Sequence, residues 1–164
     1  MFAERRSTSM THHQQEAFLA EGHAVLLATV GRDGYPHVTP MSYWLVDGKI
    51  TFSSYRKSQK SVNMLRDPRV SCLIKAGQTG DELRGLVVQG DACVIDRQDE
   101  IERLSRFRRR YEGVNPLDRL TPEQRRTSLA KRVLVVVEPR RVYSWDHRKV
   151  RHGDGYPHEL GGGQ

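Results

Sequence analysis

Apolar and polar positions follow one another in short runs along this chain, and the runs are mostly strand-like. His23–Val30 (HAVLLATV) is an apolar, partly β-branched run between Gly22 and Gly31. Such a run bounded by glycine predicts a strand, and Gly31-Arg32-Asp33-Gly34 predicts the turn after it. Pro36–Val46 (PHVTPMSYWLV) reads as a second strand. Pro40 inside it cannot donate to a ladder, which predicts an edge position or a bulge. Asp47-Gly48 is a two-residue hairpin signal, and Lys49–Ser54 (KITFSS) follows as the third strand.

The period then changes. In Ser58–Arg66 (SQKSVNMLR), Val62 and Leu65 lie three apart, Ser58 suits an N-cap, and Asp67-Pro68 stops the segment. A short helix is expected there. Arg69–Ala76 returns to strand, Gly77–Leu83 is a polar loop, and Gly85–Ile95 is a strand with Gly90 as a candidate bulge. Asp96 is expected to cap a helix through Tyr111, with Ile101, Leu104, Phe107 and Tyr111 as its apolar stripe. Thr121-Pro122-Glu123 opens a further helix. Arg132–Glu138 is the most apolar strand, Pro139 is expected to break it, and Arg140–Trp145 alternates as a last strand. Near the N-terminus, Thr11 can cap a helix over His12–Glu21, with Gly22 as its stop.

Many short strands, a short helix in the middle and larger helices late favour a mainly β fold, an antiparallel barrel with peripheral helices. The chain has 164 residues, the size of one domain. Residues 1–10 are expected to form a flexible arm, 11–146 the barrel and 147–164 a polar, glycine-rich tail.

Composition narrows the function classes. No apolar run approaches the ~18 residues of a membrane span, and Met1 to Gln15 is polar without an apolar centre. A cytoplasmic protein is therefore expected. Cys72 and Cys93 both lie in apolar strands and read as buried, reduced thiols. No CxxC occurs, and His12, His13, His147, His152 and His158 lie in polar terminal segments, so no metal site is indicated. The formal charge of +7 favours anionic partners without choosing among them. Arg103, Arg106, Arg108, Arg109 and Arg110 crowd one segment, with Arg125, Arg126, Lys131 and Arg132 later. No nucleic-acid motif or aromatic platform accompanies them, so nucleic-acid binding ranks low.

GxSxG, HExxH, GxxxxGK[ST] and GxGxxG are all missing. The stretch that bears on chemistry is Ser53–Arg69 (SSYRKSQKSVNMLRDPR). Two hydroxyls end a strand, and Arg56, Lys57 and Lys60 surround the start of a helix, where free backbone N–H groups and the dipole attract anions. That is the composition of a phosphate site. It is equally the composition of a capped, basic surface helix, and the residues alone do not choose.

The order LATVGRDGYPHVTPMSYWLVDGKITFSSYRKSQKSVNMLRDPRVSCLI resembles the split β-barrel flavoprotein superfamily of pyridoxamine 5'-phosphate oxidase. Within it, the "ATV..DG.P...P" hairpin, the "DG.ITF.S" strand, the "K..N..RDPRV" helix and the final "RVYSWD" look closest to the flavin/deazaflavin oxidoreductases that use coenzyme F420. The resemblance spans residues 14 to 146. It implies an FMN-binding split barrel fold and a homodimer with cofactor sites at its interface. The implied activity is an oxidoreductase passing hydride between F420 and a small, planar, electron-poor substrate. The same fold also serves FMN oxidases and non-catalytic flavin- or haem-binding proteins.

By this resemblance Ser53 and Ser54 face the cofactor, Lys60 contacts its phosphate, and Arg56 and Lys57 assist. Thr39, Pro40 and Met41 lie nearest the ring. Gln59 and Thr39 stand where the oxidase itself has arginines, a departure that weakens an FMN-oxidase assignment and leaves FMN as the alternative cofactor to F420. Tyr43 and Tyr55 are candidate proton donors, and no catalytic residue is singled out. Trp44 and Asn63 read as packing residues, and Trp145 as core or as an interface residue.

Overall fold

The computed structural model describes residues 8–22, 24–108 and 116–150. Among them, seven strands form one antiparallel sheet: β1 Val25–Val30, β2 Pro36–Met41, β3 Trp44–Val46, β4 Lys49–Tyr55, β5 Arg69–Ala76, β6 Arg84–Ile95 and β7 Arg132–Asp146. The order across the sheet is β2-β1-β5-β6-β7-β4-β3, so β2 and β3 are the two edges. The sheet curls into a split barrel. Four helices accompany it: α1 His12–Ala20, α2 Gln59–Arg66, α3 Gln98–Ser105 and α4 Pro122–Ala130. No helix among the described residues is long and apolar enough to cross a membrane.

Strand pleat sorts the apolar side chains. Inward residues of successive strands, among them Val25, Leu27, Phe52, Cys72, Ile74, Leu86, Val133, Val135 and Val137, fill the barrel together with Phe18 of α1 and Met64 of α2. Leu134 points the other way, into a second cluster with Trp44, Val46, Ile101, Leu104 and Leu129 beneath α3 and α4. β7 reads as continuously apolar because its first half is buried on both faces. Among the described residues, no helix packs over the outer face of β2, β1, β5, β6 and β7. The ladder aligns Pro40, Leu26, Leu73, Val87 and Tyr143 in one cross-strand row on that face. Leu26, Val38 and Tyr143 are exposed there.

Several expectations are met. Thr11 and Thr121 both form capping boxes. Asp47 and Gly48 both have positive φ, 50° and 75°, which the tight β3–β4 hairpin requires. Pro40 lies on an edge strand.

Others are corrected. The single strand expected over 36–46 is two, because residues 42 and 43 turn the chain from one edge of the sheet to the other. Pro139 does not end β7. It sits opposite Gly90, and the register shift there leaves Arg140 as the extra residue of a bulge. A side chain at Gly90 would put its Cβ 2.0 Å from the Glu138 carbonyl oxygen, so only glycine lets the strands approach. α3 starts after Arg97 instead of Asp96 and ends at Ser105, and Phe107 is exposed; Tyr111 lies outside the described residues. Asp96 is drawn off by Arg56, with which it forms an ion pair. Val62 and Leu65 do not form the buried stripe of α2; its buried face is Ser61, Asn63 and Met64. Cys72 is buried, but Cys93 is exposed, since it lies on the opposite face of β6 from buried Ala92.

The two ends of the described chain meet. Asp146 N–H donates to the Thr8 carbonyl at 2.8 Å, and Met10 N–H donates to Ser144 Oγ at 3.0 Å. His147–Lys149 form a 3-10 turn capped by Asp146. Residues 1–7 of the expected arm and 151–164 of the expected tail lie outside the described residues.

Candidate functional site

β4 delivers Ser53, Ser54 and Tyr55 to the corner where α2 begins. Tyr55 turns the chain, its carbonyl accepting from Ser58 N–H at 3.0 Å, while Arg56 N–H donates to the Lys131 carbonyl at 3.0 Å. Ser58 occupies the N-cap position with extended backbone, but its hydroxyl makes no cap. It meets Ser54 Oγ at 2.9 Å and Ser61 Oγ at 3.1 Å instead. Ser61 Oγ also lies 2.9 Å from both Ser54 Oγ and the Tyr55 carbonyl. This serine cluster fixes the corner and consumes the hydroxyls. It leaves the first N–H groups of α2 without a side-chain cap, and a helix keeps such donors available to an anion.

The charge at this corner is positive. The first turn of α2 carries no acid. Arg56 is neutralised by Asp96, whereas Lys57 and Lys60 have no carboxylate within ion-pair distance among the described residues. Lys60 in the first turn opposes the helix dipole, an arrangement that an anion would relieve. At the other end of α2, Arg69 donates to the Asp67 carboxylate at 2.9 and 2.7 Å and holds its pKa down to about 2. Arg66 donates to the Val30 carbonyl and ties the helix end to β1.

Gln59 and Asn63 lock the helix to the sheet. Gln59 Nε2 donates to Asn63 Oδ1 at 2.8 Å, and Asn63 Nδ2 donates to Thr29 Oγ1 at 3.0 Å. Thr29 Oγ1 reaches the His37 carbonyl at 3.4 Å. The chain of contacts runs from the mouth of α2 to β2, so Asn63 is a packing residue as expected.

The remaining expected residues are split by strand pleat. Ser53 lies on the opposite face of β4 from Ser54, beneath α3 and α4, and its Oγ is buried without a protein partner. Thr39 and Met41 share the half-buried face of β2, while Pro40 projects to the exposed one. Thr39 Oγ1 and, two residues earlier on the same face, His37 Nδ1 are both buried without a protein partner. His37 was missed from the sequence although the same period of two that selects Thr39 also selects it. Tyr43 Oη donates to the Leu19 carbonyl at 2.7 Å and is buried, so it serves packing. Tyr55 is exposed beneath the Arg132 guanidinium, 4.5 Å from its ring centre. Trp145 packs against Gly85, where a Cβ would stand 2.0 Å from the indole.

The structure thus brings together Ser54, Arg56, Lys57, Gln59 and Lys60 at one corner, and Thr39 and Met41 along the edge strand. Ser53 and Pro40 face away from these groups.

Comparison with known proteins agrees with this architecture. A family model described as pyridoxamine 5'-phosphate oxidase matches residues 11–146. A conserved hypothetical protein from Mycobacterium tuberculosis is 36% identical, covers 98% of each chain and superposes with a TM-score of 0.75. An F420 reductase is 27% identical over 77% of this chain and 94% of its own, with a TM-score of 0.58. A haem-binding protein from Mycobacterium smegmatis, 18% identical over 88% of this chain and 60% of its own, shares the fold with a TM-score of 0.61. No curated protein sequence matches. With its split barrel, its α2 corner and a family match over most of its length, the chain belongs to the pyridoxamine 5'-phosphate oxidase family.

Proposed function

We propose that this protein is an oxidoreductase that anchors the phosphate of coenzyme F420 at the mouth of α2 and passes hydride to a small, planar, electron-poor organic substrate. The observation that carries the reading is the uncapped start of α2 with Lys57 and Lys60 beside it and no acid in its first turn. A bound deazaflavin supplies the two-electron chemistry itself. The protein's own residues bind and orient: Lys57, Lys60 and the free N–H groups hold the anion, and the Gln59–Asn63–Thr29 contacts keep α2 in place. His37 and Thr39 offer polar atoms without protein partners along the edge strand. The resemblance to an F420 reductase supports F420 over FMN, as do Gln59 and Thr39 in the places of the oxidase's arginines.

The same reading includes a homodimer formed through the uncovered outer face. Leu26, Val38 and Tyr143 are exposed there beside a groove of about 800 Å³ that is walled by Ser71, Gln89 and Arg141. An apolar row framed by polar groups suits a second copy.

The test is titration of F420 and of FMN into cofactor-free protein, its Lys60→Ala variant and its Arg103→Ala variant. Loss of one charge-assisted contact at Lys60 weakens binding about tenfold to hundredfold. Arg103 is exposed and already paired with Glu100, so its removal leaves affinity within about twofold. Tight FMN binding without F420 binding replaces the carrier and keeps the site. Equal losses in both variants, or no binding of either, refute the site.

A further inference from the structure

A second feature lies across β4 from the serine cluster. Between the outward face of β3–β4 and the α3–α4 segment is a cavity of about 230 Å³. Its polar lining consists of Trp44, Ser53, Ser105, Arg108, Ser128 and Arg132, and three leucines complete the wall. Among the described residues, none that lines the cavity is acidic. Trp44 is 3% exposed, and its indole Nε1–H, which can only donate, has no protein partner. Ser53 Oγ is buried beside it and likewise unpartnered. Leaving two such groups unsatisfied is costly, and native interiors avoid it.

Two guanidiniums face the same space. Arg108 stands 6.0 Å above the Trp44 ring, and Arg132 stacks on Tyr55. Burial and the nearby Arg132 both push the Arg108 pKa down, so the cavity sets two mutually repelling cations side by side. Arg125 braces the wall from outside, its guanidinium donating to the Leu117 carbonyl at 2.9 Å.

We infer that this cavity is an oxyanion-binding site, distinct from the α2 mouth, that takes a phosphate or carboxylate group between Trp44, Ser53, Arg108 and Arg132. Its indole, hydroxyls and guanidiniums can all donate to an oxyanion. An oxyanion satisfies the Trp44 and Ser53 donors and neutralises the guanidinium pair, which water does only in part. The volume admits one small oxyanion with room for a water or a short substituent. The site also absorbs part of the arginine-rich segment, whose Arg108 turns inward while Arg103 stays on the surface. It stands independently of the cofactor reading.

The test uses the two-tryptophan composition of the chain. In a Trp145→Phe background, Trp44 emission reports on the cavity alone. Inorganic phosphate and, separately, benzoate are titrated at constant ionic strength, with chloride as the balance. The expected result is a saturable change in Trp44 emission with a Kd of about 1 mM or tighter, and a rise in Tm at saturation. Preference for phosphate names a phosphate ester as the source, and preference for benzoate names an organic acid. Ser53→Ala and Arg108→Gln each weaken the response about tenfold, and Arg103→Gln leaves it unchanged. Without anion, Arg108→Gln melts no lower than its parent, because it relieves a repulsion. Absence of a saturable response overturns the proposal, and so does equal weakening by Arg103→Gln. A phosphate response abolished by prior saturation with F420 or FMN overturns it too, since the cavity would then belong to the cofactor's own site.

Discussion

Replacing Asn63 by alanine tests whether the helix that carries the anion corner is held by a polar lock. Asn63 is fully buried and makes two side-chain hydrogen bonds, one accepted from Gln59 and one donated to Thr29. Each contributes roughly 0.5–1.5 kcal/mol. Thr29 is 2% exposed, and after the substitution its hydroxyl keeps only the long contact with the His37 carbonyl. That stranded acceptor adds a cost of about 1 kcal/mol. Alanine returns about 0.5 kcal/mol through its better helix propensity. The net loss is about 1.5–3.5 kcal/mol, or a fall in Tm of roughly 3–14 °C for a domain of this size. Urea denaturation at neutral pH reads the loss as a shift in midpoint at constant slope. The neighbouring Val62→Ala, at an exposed position, shifts stability by no more than about 0.5 kcal/mol. The decisive control is the cycle with Thr29→Val. If Asn63→Ala costs under about 0.5 kcal/mol, or if the two changes add without coupling, the lock does not exist.

Four further outcomes are expected. Gly90→Ala forces a Cβ to within 2.0 Å of the Glu138 carbonyl oxygen, and relieving it moves backbone; a loss of about 1–3 kcal/mol by denaturation checks this. Hydrogen bonds from Arg148 depress the Asp146 carboxyl, so its contribution is complete above the ordinary value of 3.8 and is lost as pH falls through the lower folded value. Asp146→Asn flattens that acid limb of the stability–pH curve; an unchanged limb assigns it elsewhere. In native protein a thiol reagent modifies Cys93 alone, because burial raises the Cys72 thiol to about 12; a Cys93→Ser variant that still reacts refutes this. Leu26→Lys places a charge in the exposed cross-strand row and converts a dimer to monomer in sedimentation velocity, and a wild-type monomer at micromolar concentration refutes the dimer outright.

The strands were readable because their apolar runs are short and punctuated by glycine, and the α2 corner was readable because cations follow a strand end so closely. Parity was harder to read. Ser53 and Ser54 are adjacent, so a period of two must send them to opposite faces, yet motif similarity treats them as a pair. The same rule separates Pro40 from Thr39 and Met41. Pro139 looked like a strand breaker because local reasoning cannot see Gly90 across the ladder, which makes room for the bulge. Asp96 had the chemistry of a cap, but a partner forty residues earlier, Arg56, took its carboxylate. Val62 and Leu65 had helical spacing and still face outward, since Asn63 and Ser61 have specific hydrogen-bond partners inside. In each case a distant contact overrode a local preference.

The order of the sheet also shapes how the protein is made. β7 is the last of the seven described strands to be synthesised and the one that pairs with both β6 and β4. Until it emerges, β2-β1-β5-β6 and the β3–β4 hairpin are separate sheets, each with an open edge and an exposed apolar face. Residues 8–10 likewise wait for Ser144 and Asp146 before they are held. At roughly 5–20 residues per second, the nascent chain spends several seconds with both halves made and not yet joined. Closure thus waits for the synthesis of β7 and is built from long-range contacts, which fold slowly. Chains truncated before residue 132 are therefore clients for chaperones and proteases, while a single completed strand converts both halves at once into a protected barrel.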